Sequence, residues 1–289
     1  MLENDSISHH TSGVPSLSSI LRMEAFKVQY CTEKIYVNKH NSLYMAIPMV
    51  SFADIRPSDY VQSFWKPKGN GQRFNLGYYG DYAIGLSKDW AVRKNIIPIL
   101  YVPKPKDSGT ALSKNNPIAC LSSFASKNLQ SEQLGQIIEN IPPIASYCKH
   151  YVGVLEQGER DEDGKIITSG IKKVEYSFHL EQEWRYVSPE IPVRWNFYKS
   201  MKDADYEKGR KKKEASNKAI NELLDFNLWE DVTYIVVKSN NACSKILALL
   251  DEKYQEKRRD KSITLRYLDE RYAYLRSCVI TTEQLVNNL

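Results

Sequence analysis

Ser8-His9-His10-Thr11, near the start of the chain, is a His-x-Thr sequence followed by an apolar helical pattern at Leu17-Ser18-Ser19-Ile20-Leu21. The later stretch Leu180-Glu181-Gln182-Glu183-Trp184-Arg185 places a Glu-x-Glu among aromatic and branched residues. The predictions of fold and function below start from this early histidine and this late glutamate.

The residues after the first segment predict a helix and then a buried strand. We expect the helix from about Pro15 to Met23, because proline suits a first helical turn and the apolar residues share one face. Tyr44 to Phe52 is rich in apolar and β-prone residues and predicts a strand, and Pro48 places that strand near an edge or a bulge.

The rest of the chain alternates short strands with helices. Helices are predicted for Asp89 to Lys94, 202 to 224 and Ala242 to Glu256, and Thr281 with Gln284 forms a capping box for a last short helix. The predicted strands are Ile96 to Val102, Cys148 to Leu155, Lys173 to Phe178, Trp184 to Val187, Val232 to Val237 and Ile263 to Tyr267. These elements predict an α+β fold with short, mostly antiparallel strands and peripheral helices.

Composition indicates a folded protein with a mildly basic surface. With 42% hydrophobic and 26% charged residues in 289, the chain can bury a core. The net charge of +5 permits nucleic-acid binding without implying it, and the basic residues concentrate in two runs, 208–213 and 257–261. Five scattered cysteines predict free thiols in a reducing cytoplasm. The absence of a signal-peptide pattern or a long apolar run predicts a cytoplasmic protein without membrane contact.

The two opening segments contain the groups that NAD glycosyl transfer needs. A carboxylate must stabilise the oxocarbenium-like transition state, which assigns a catalytic role to Glu183, with Glu181 positioning the acceptor. A second group must hold the ribose, which fits His9. Tyr78, Tyr79 and Tyr82 can stack on nicotinamide. Because Glu181, Glu183 and Arg185 would alternate along one strand, we expect Arg185 to keep Glu183 ionised.

The His-x-Thr and the helix after it resemble the start of diphtheria-toxin-like and DarT-like ADP-ribosyltransferases. This resemblance implies that His9 and Thr11 contact NAD and that Glu183 is the catalytic glutamate on a late strand. It also implies a middle motif, best matched by Ser51. The implied fold is an ADP-ribosyltransferase-like split antiparallel sheet in a single domain, 1–289, with an insertion at 103–170 and a C-terminal αβ extension at 200–289.

Five blocks of sequence also resemble the AbiGi family of abortive-infection, or phage-resistance, loci, in matching order. They are Ser19 to Cys31, Ile47 to Ile55, Tyr79 to Trp90, Pro98 to Val102 and Glu181 to Val187. That family is described as an antitoxin, so the resemblance implies a partner in a toxin–antitoxin pair.

Together these observations predict a phage-defence toxin that acts as an ADP-ribosyltransferase, with NAD as substrate. Single-stranded RNA or DNA is the preferred acceptor because basic runs and tyrosines suit phosphates and bases, and a cognate antitoxin would restrain the toxin. The alternative is a non-enzymatic antitoxin or regulator that binds a toxin. A metal-dependent nuclease using Asp54 and Glu183 lacks the usual lysine beside its acids. Cys148 and His150 fall short of a zinc site, so we predict no metal.

Overall fold

The structure is a computed structural model. It describes residues 5–11, 13–36, 42–57, 65–67, 73–75, 82–102, 144–160, 166–195, 197, 204–259 and 264–287. Of the predicted insertion, residues 103–143 and 161–165 lie outside the described residues.

The described residues form a mixed α+β structure, which confirms the predicted fold class. The strands are β1 (Ser6–Thr11), β2 (Ala25–Lys27), β3 (Gln29–Tyr36), β4 (Ser42–Ala53), β5 (Trp65–Pro67), β6 (Arg73–Asn75), β7 (Tyr82–Ser87), β8 (Ile97–Pro98), β9 (Leu100–Val102), β10 (Cys148–His150), β11 (Val152–Arg160), β12 (Ile166–Ser177), β13 (Glu183–Val187), β14 (Arg194–Trp195), β15 (Leu223–Asp225), β16 (Val232–Val237) and β17 (Val279–Thr281). The helices are α1 (Val14–Met23), α2 (Lys88–Arg93), α3 (Tyr206–Ala219), α4 (Asn240–Arg258), α5 (Leu265–Ser277) and α6 (Thr282–Asn287), and a 3-10 helix covers Phe178–Glu181.

The chain divides into two compact units, each built from segments that are distant in sequence. The first unit contains Met1–Phe26, Ser51–Ile97 and Leu223–Leu289. The second contains Lys27–Val50 and Pro98–Glu222. The single domain of 1–289, with its 103–170 insertion and 200–289 extension, stays a prediction.

The first unit is built on strands β17, β16, β7 and β1, which lie side by side in that order. β1 and β7 pair antiparallel over their whole length, from Ser6 opposite Ser87 to Thr11 opposite Tyr82. β16 pairs antiparallel with β7, and β17 runs parallel to β16. The end of β4 pairs with β1, where Ala53 lies opposite Ser8.

An aromatic cluster fills the core of the first unit beside this sheet. The ring centroids of Phe26 and Phe52 are 5.4 Å apart, and those of Phe26 and Phe226 are 5.2 Å apart. The indole of Trp90 lies 5.5 Å from the ring of Phe52 and donates a hydrogen bond to the carbonyl of Asp225. Such aromatic pairs stabilise a core by about 0.5–1.5 kcal/mol each beyond the area that they bury. Residues from both ends of the chain are thereby held together.

Helix α1 confirms the helix predicted from Pro15 to Met23. Leu17 and Leu21 are fully buried, as expected for apolar residues one turn apart. The helix ends where Glu24 adopts a left-handed conformation, φ 49°, and its N–H donates to the carbonyl of Ile20.

The C-terminal region confirms one local prediction and corrects another. The capping box before α6 is present, because the Thr281 N–H donates to Gln284 Oε1 and the Gln284 N–H donates to Thr281 Oγ1. The predicted strand at Ile263 to Tyr267 is wrong, because α5 begins at Leu265. Leu268 and Leu275 are seven residues apart, a helical spacing, and both are buried.

The second unit places β4 between other strands. β3 pairs antiparallel with β4 from Gln29 opposite Met49, and β14 also pairs with β4, where Arg194 lies opposite Ala46. The strand predicted at Tyr44 to Phe52 is therefore confirmed, but β4 is not an edge strand there. The carbonyl of Pro48 accepts from the N–H of Ser188, the residue after β13 ends. Proline has no N–H to donate. In an antiparallel pair the N–H and the carbonyl of one residue face the same side, so the missing N–H of Pro48 would point toward Ser188, beyond the end of β13.

Other strands of the second unit differ in extent from the predictions. The predicted strand at Ile96 to Val102 is divided into β8 and β9, and β9 pairs parallel with β10. β11 and β12 form a long antiparallel hairpin, in which Val152 lies opposite Ser177. The small core of this unit contains Met45, Ile47, Met49, Val102, Ala145 and Cys148.

Gly85 on β7 lies opposite Tyr234 on β16, and a Cβ atom at residue 85 would be 2.4 Å from the tyrosine ring. We predict that Gly85→Ala lowers the free energy of unfolding by about 2 kcal/mol, because the ring must move out of its packed position. Urea unfolding followed by circular dichroism measures this loss. In a Tyr234→Ala background the same change should cost less than half as much. An equal cost in both backgrounds would exclude this steric explanation.

Candidate functional site

The Glu-x-Glu segment does not form one continuous strand. Glu181 ends the 3-10 helix, Gln182 adopts a left-handed conformation with φ 42°, and β13 begins at Glu183. The prediction that Glu181, Glu183 and Arg185 alternate along one strand is therefore wrong for Glu181. The two acidic side chains converge because of the turn at Gln182 and not because of strand alternation.

Both carboxylates bind the ammonium group of Lys149, which β10 positions beside them. Lys149 Nζ is 2.6 Å from Glu181 Oε2 and 2.8 Å from Glu183 Oε2. The same ammonium group lies 4.7 Å from the centre of the Phe178 ring, a cation–π contact. Each glutamate is only 5% exposed. The like charges that the sequence places two residues apart are thus neutralised by a cation from another strand.

Arg185, two residues after Glu183 on β13, completes the cluster from the other side. Its Nε donates to Glu183 Oε1 over 2.6 Å and its Nη2 to Glu183 Oε2 over 3.2 Å, a bidentate pair. Nη2 also donates to Glu33 Oε1, and Nη1 donates to the carbonyl of Ser146. The side chain is fully buried. The expected pairing of Arg185 with Glu183 is confirmed.

The backbone around Glu183 is also bound on both sides. Its N–H donates to the hydroxyl oxygen of Tyr101 over 2.9 Å, and its carbonyl accepts from the N–H of Ile99 over 3.0 Å. Burial raises the pKa of Tyr101 to about 12, so its hydroxyl stays protonated at neutral pH. The position of the Glu183 side chain is therefore fixed through its backbone as well as through its ion pairs.

Protonation in the cluster follows from two opposing effects. Burial by itself would raise the pKa of Glu183, but the charges of Arg185 and Lys149 outweigh it and hold the pKa well below its ordinary value. Burial would likewise lower the pKa values of Lys149 and Arg185, but the neighbouring carboxylates raise them above their ordinary values. Every one of these three groups is charged at neutral pH.

This arrangement leaves the Glu183 carboxylate little capacity for chemistry. Both of its oxygens accept charge-assisted hydrogen bonds, and a general base or an electrostatic stabiliser needs an oxygen that can face the substrate. The ion pairs of the cluster instead have a structural role, because they connect β3, β10, the 3-10 helix and β13 of the second unit.

His9, the predicted ribose-binding residue, belongs to the first unit, whereas Glu181 and Glu183 belong to the second. Its Nδ1 lies 2.9 Å from the carbonyl oxygen of Ser51, so Nδ1 is the protonated, donating nitrogen. Its ring also contacts the aromatic cluster, with centroids 4.8 Å from Phe26 and 5.7 Å from Phe52. Burial lowers its pKa, and the hydrogen bond to Ser51 only partly offsets this effect. His9 is therefore neutral at pH 7.

The structure brings some of the other predicted site residues together. Ser51 contacts His9 through its backbone carbonyl. Thr11 and Tyr82 lie opposite each other where β1 pairs with β7. Tyr79, like Tyr78, lies outside the described residues. The assignment of NAD to His9, Thr11, Ser51, Tyr79 and Tyr82 stays a prediction.

The residues that make Glu181 and Glu183 part of a cluster could not be recognised from the sequence. Lys149 lies 32 residues from Glu181, and Glu33 lies 152 residues from Arg185. Neither belongs to a recognisable motif, and only the pairing of strands brings them near. The one available signal was Arg185, two residues after Glu183.

The described residues contain neither a cluster that could hold a metal ion nor a helix that could span a membrane. Within the ranges given above, no three His, Cys, Asp or Glu side chains lie close enough together to hold a metal ion. None of the helices there has the length and apolar character needed to cross a bilayer.

Comparison with known proteins shows a match to a protein family. A family model described as "Putative abortive phage resistance protein AbiGi, antitoxin" matches residues 24–238. The matched range includes Glu181 and Glu183 but begins after His9. No curated protein and no solved structure matches the chain. The match confirms the resemblance to this family. Because the family is described as an antitoxin, the prediction of an ADP-ribosyltransferase toxin is wrong, and the alternative reading agrees better.

We predict that Arg185→Met lowers the free energy of unfolding by about 3–5 kcal/mol, because it leaves the buried carboxylate of Glu183 and the partly buried carboxylate of Glu33 without their shared cation. Urea unfolding at pH 7 measures the change. Arg22→Met is the matched control, since Arg22 pairs with Glu252 at the exposed surface and should have little effect. If the two variants unfold at the same urea concentration, the cluster does not stabilise the fold.

Proposed function

The chain belongs to the AbiGi family of abortive phage resistance proteins, and we propose on that premise that it is a non-enzymatic antitoxin, which restrains a toxin by binding it. The observation that carries this proposal is the family match over residues 24–238, described as an antitoxin. The partner would then be the toxin of the same abortive-infection pair.

The geometry around Glu183 supports a binding role over a catalytic one. Bringing this carboxylate to a substrate would require breaking its hydrogen bonds to Arg185 and Lys149. Breaking a buried ion pair costs about 3–5 kcal/mol. A conformation in which Glu183 faces a substrate would therefore be less stable than the observed one by a similar amount. The ADP-ribosyltransferase-like split sheet remains a proposal about the fold and carries no part of the argument. The nucleic-acid partner predicted from the basic runs 208–213 and 257–261 is a proposal that does not depend on the antitoxin role.

A local surface of the second unit fits contact with a protein. Tyr151 and Leu180 are about half exposed, and the Tyr151 ring stacks on His179 at 3.8 Å, which holds it in place. Tyrosine is enriched at protein–protein interfaces, and Leu180, which follows His179 in the chain, adds exposed apolar area. We propose this surface as part of the contact with the toxin.

Growth of a host culture tests the function. We expect that expression of this chain alone leaves growth unchanged, and that co-expression with the toxin of the proposed pair restores growth that the toxin alone arrests. Growth arrest by this chain alone, or failure to rescue when both proteins are present at equal levels, would contradict the proposal.

The double variant Tyr151→Ser, Leu180→Ser tests the proposed contact surface. It should weaken rescue and lower the affinity for purified toxin at least tenfold, because it removes two apolar anchors. The matched control is Val92→Ser, Leu265→Ser, which changes two exposed apolar residues of the first unit and should leave rescue intact. Equal effects from both pairs would exclude this surface while leaving the antitoxin role to be judged by the growth assay.

A further inference from the structure

Helix α3 is attached to the second unit by one face. Tyr206 and Gly209 in its first turn are buried, and Ile220 is buried directly after its end. Near that end, Asn217 Oδ1 accepts a hydrogen bond of 2.8 Å from the N–H of Tyr30 on β3. These contacts fix which side of the helix faces solvent.

The solvent face of α3 carries a row of lysines. Lys208, Lys211, Lys212 and Lys218 are exposed, and their spacing places them on one side of a helix. With a rise of about 1.5 Å per residue, the row extends over about 15 Å. A shallow groove on this face is lined by Glu207, Lys208, Lys211, Lys212 and Ala215. The face is therefore long, straight and basic.

The two acidic residues of α3 do not neutralise these lysines. Glu207 and Glu214 both pair with Arg210, which lies 3.0 Å from Glu207 and also contacts Glu214. Within the part of the chain that the structure describes, none of the four lysines enters an ion pair. One arginine thus binds both carboxylates, and the positive charge of the lysine row remains available.

The composition of this face identifies the kind of partner. Lysine is depleted in protein–protein interfaces, which favour aromatic residues, methionine and arginine, and Ala215 is the apolar residue that lines the groove. Single-stranded nucleic acid needs aromatic side chains on which bases stack, and the lysine row has none. Duplex RNA is recognised largely through its 2′-hydroxyls, and Asn217 lies on the face of α3 opposite the lysine row, where its Oδ1 accepts from the Tyr30 N–H.

We propose that the exposed lysine row of α3 binds the phosphate backbone of double-stranded DNA without reading its sequence. Duplex DNA carries one negative charge per about 1.7 Å of axis, so a 15 Å row of ammonium groups can neutralise several phosphates. Lysine acts there as a point charge, and base recognition would require groups that reach base edges in a groove. This inference goes beyond the antitoxin role and does not depend on a toxin being present.

Fluorescence anisotropy with a labelled 20-base-pair duplex of arbitrary sequence, at 50–200 mM KCl, tests the proposal. For the full chain we expect log Kobs to fall with log[KCl] with a slope of about −3 to −4, since each neutralised phosphate contributes about −0.9. The variant Lys208→Gln, Lys211→Gln, Lys212→Gln should reduce that slope by about 3 and weaken binding at least tenfold. The corresponding Lys→Arg variant should retain binding.

The matched control removes the same charge elsewhere. Lys27, Lys238 and Lys245 are exposed, and their triple change to glutamine should leave both slope and affinity nearly unchanged. If the two triple variants weaken binding to the duplex equally, net charge alone explains the effect, and the proposal is overturned. The absence of duplex binding at 50 mM KCl would also overturn it, as would tighter binding to a single strand of the same length. Thermal melts that match the wild type confirm that the variants fold.

Discussion

The bidentate pair between Glu183 and Arg185 is the interaction on which the second unit depends. Neither side chain could be buried alone, because an unpaired charge in the interior costs several kcal/mol. Lys149, Glu181 and Glu33 extend the pair into a cluster of three carboxylates and two cations. Since its members come from β3, β10, the 3-10 helix and β13, the cluster fixes how segments distant in sequence pack.

The same cluster changes how the Glu-x-Glu segment is interpreted. In sequence, the two glutamates resemble the late catalytic segment of ADP-ribosyltransferases. In the structure, each carboxylate binds a buried cation, and the segment joins a 3-10 helix to a strand. The family match carries the description of an antitoxin, and the ion pairs around Glu183 agree with the binding role that we propose. On this account the proposed function depends on binding surfaces. The two that we propose are the apolar surface of Tyr151 and Leu180 and the lysine row of α3.

Local patterns predicted much of the secondary structure. α1, β4, β16, α4 and the capping box at Thr281 follow from periodicity and turn chemistry within a few residues. The failures have physical causes. Leu265 begins a helix because its apolar partners follow at helical spacing, and Gln182 interrupts the expected strand with a left-handed turn. The ion cluster was beyond prediction except for Arg185, because its other cation comes from a strand more than 30 residues away. Long-range pairing leaves no local pattern in a single sequence.

The protonation state of Glu183 in the folded protein tests this account most directly. A lowered pKa contributes stability that is present above the unfolded value of about 4.5 and is lost as the pH falls through the folded value. The measurement is NMR titration of the side-chain carboxyl carbon, assigned with Glu183→Gln, while amide signals report that the chain stays folded. The account predicts no titration of Glu183 between about pH 6 and 3. A midpoint at or above the ordinary glutamate value would show a carboxyl group outside the ion cluster and available for catalysis, and would contradict it.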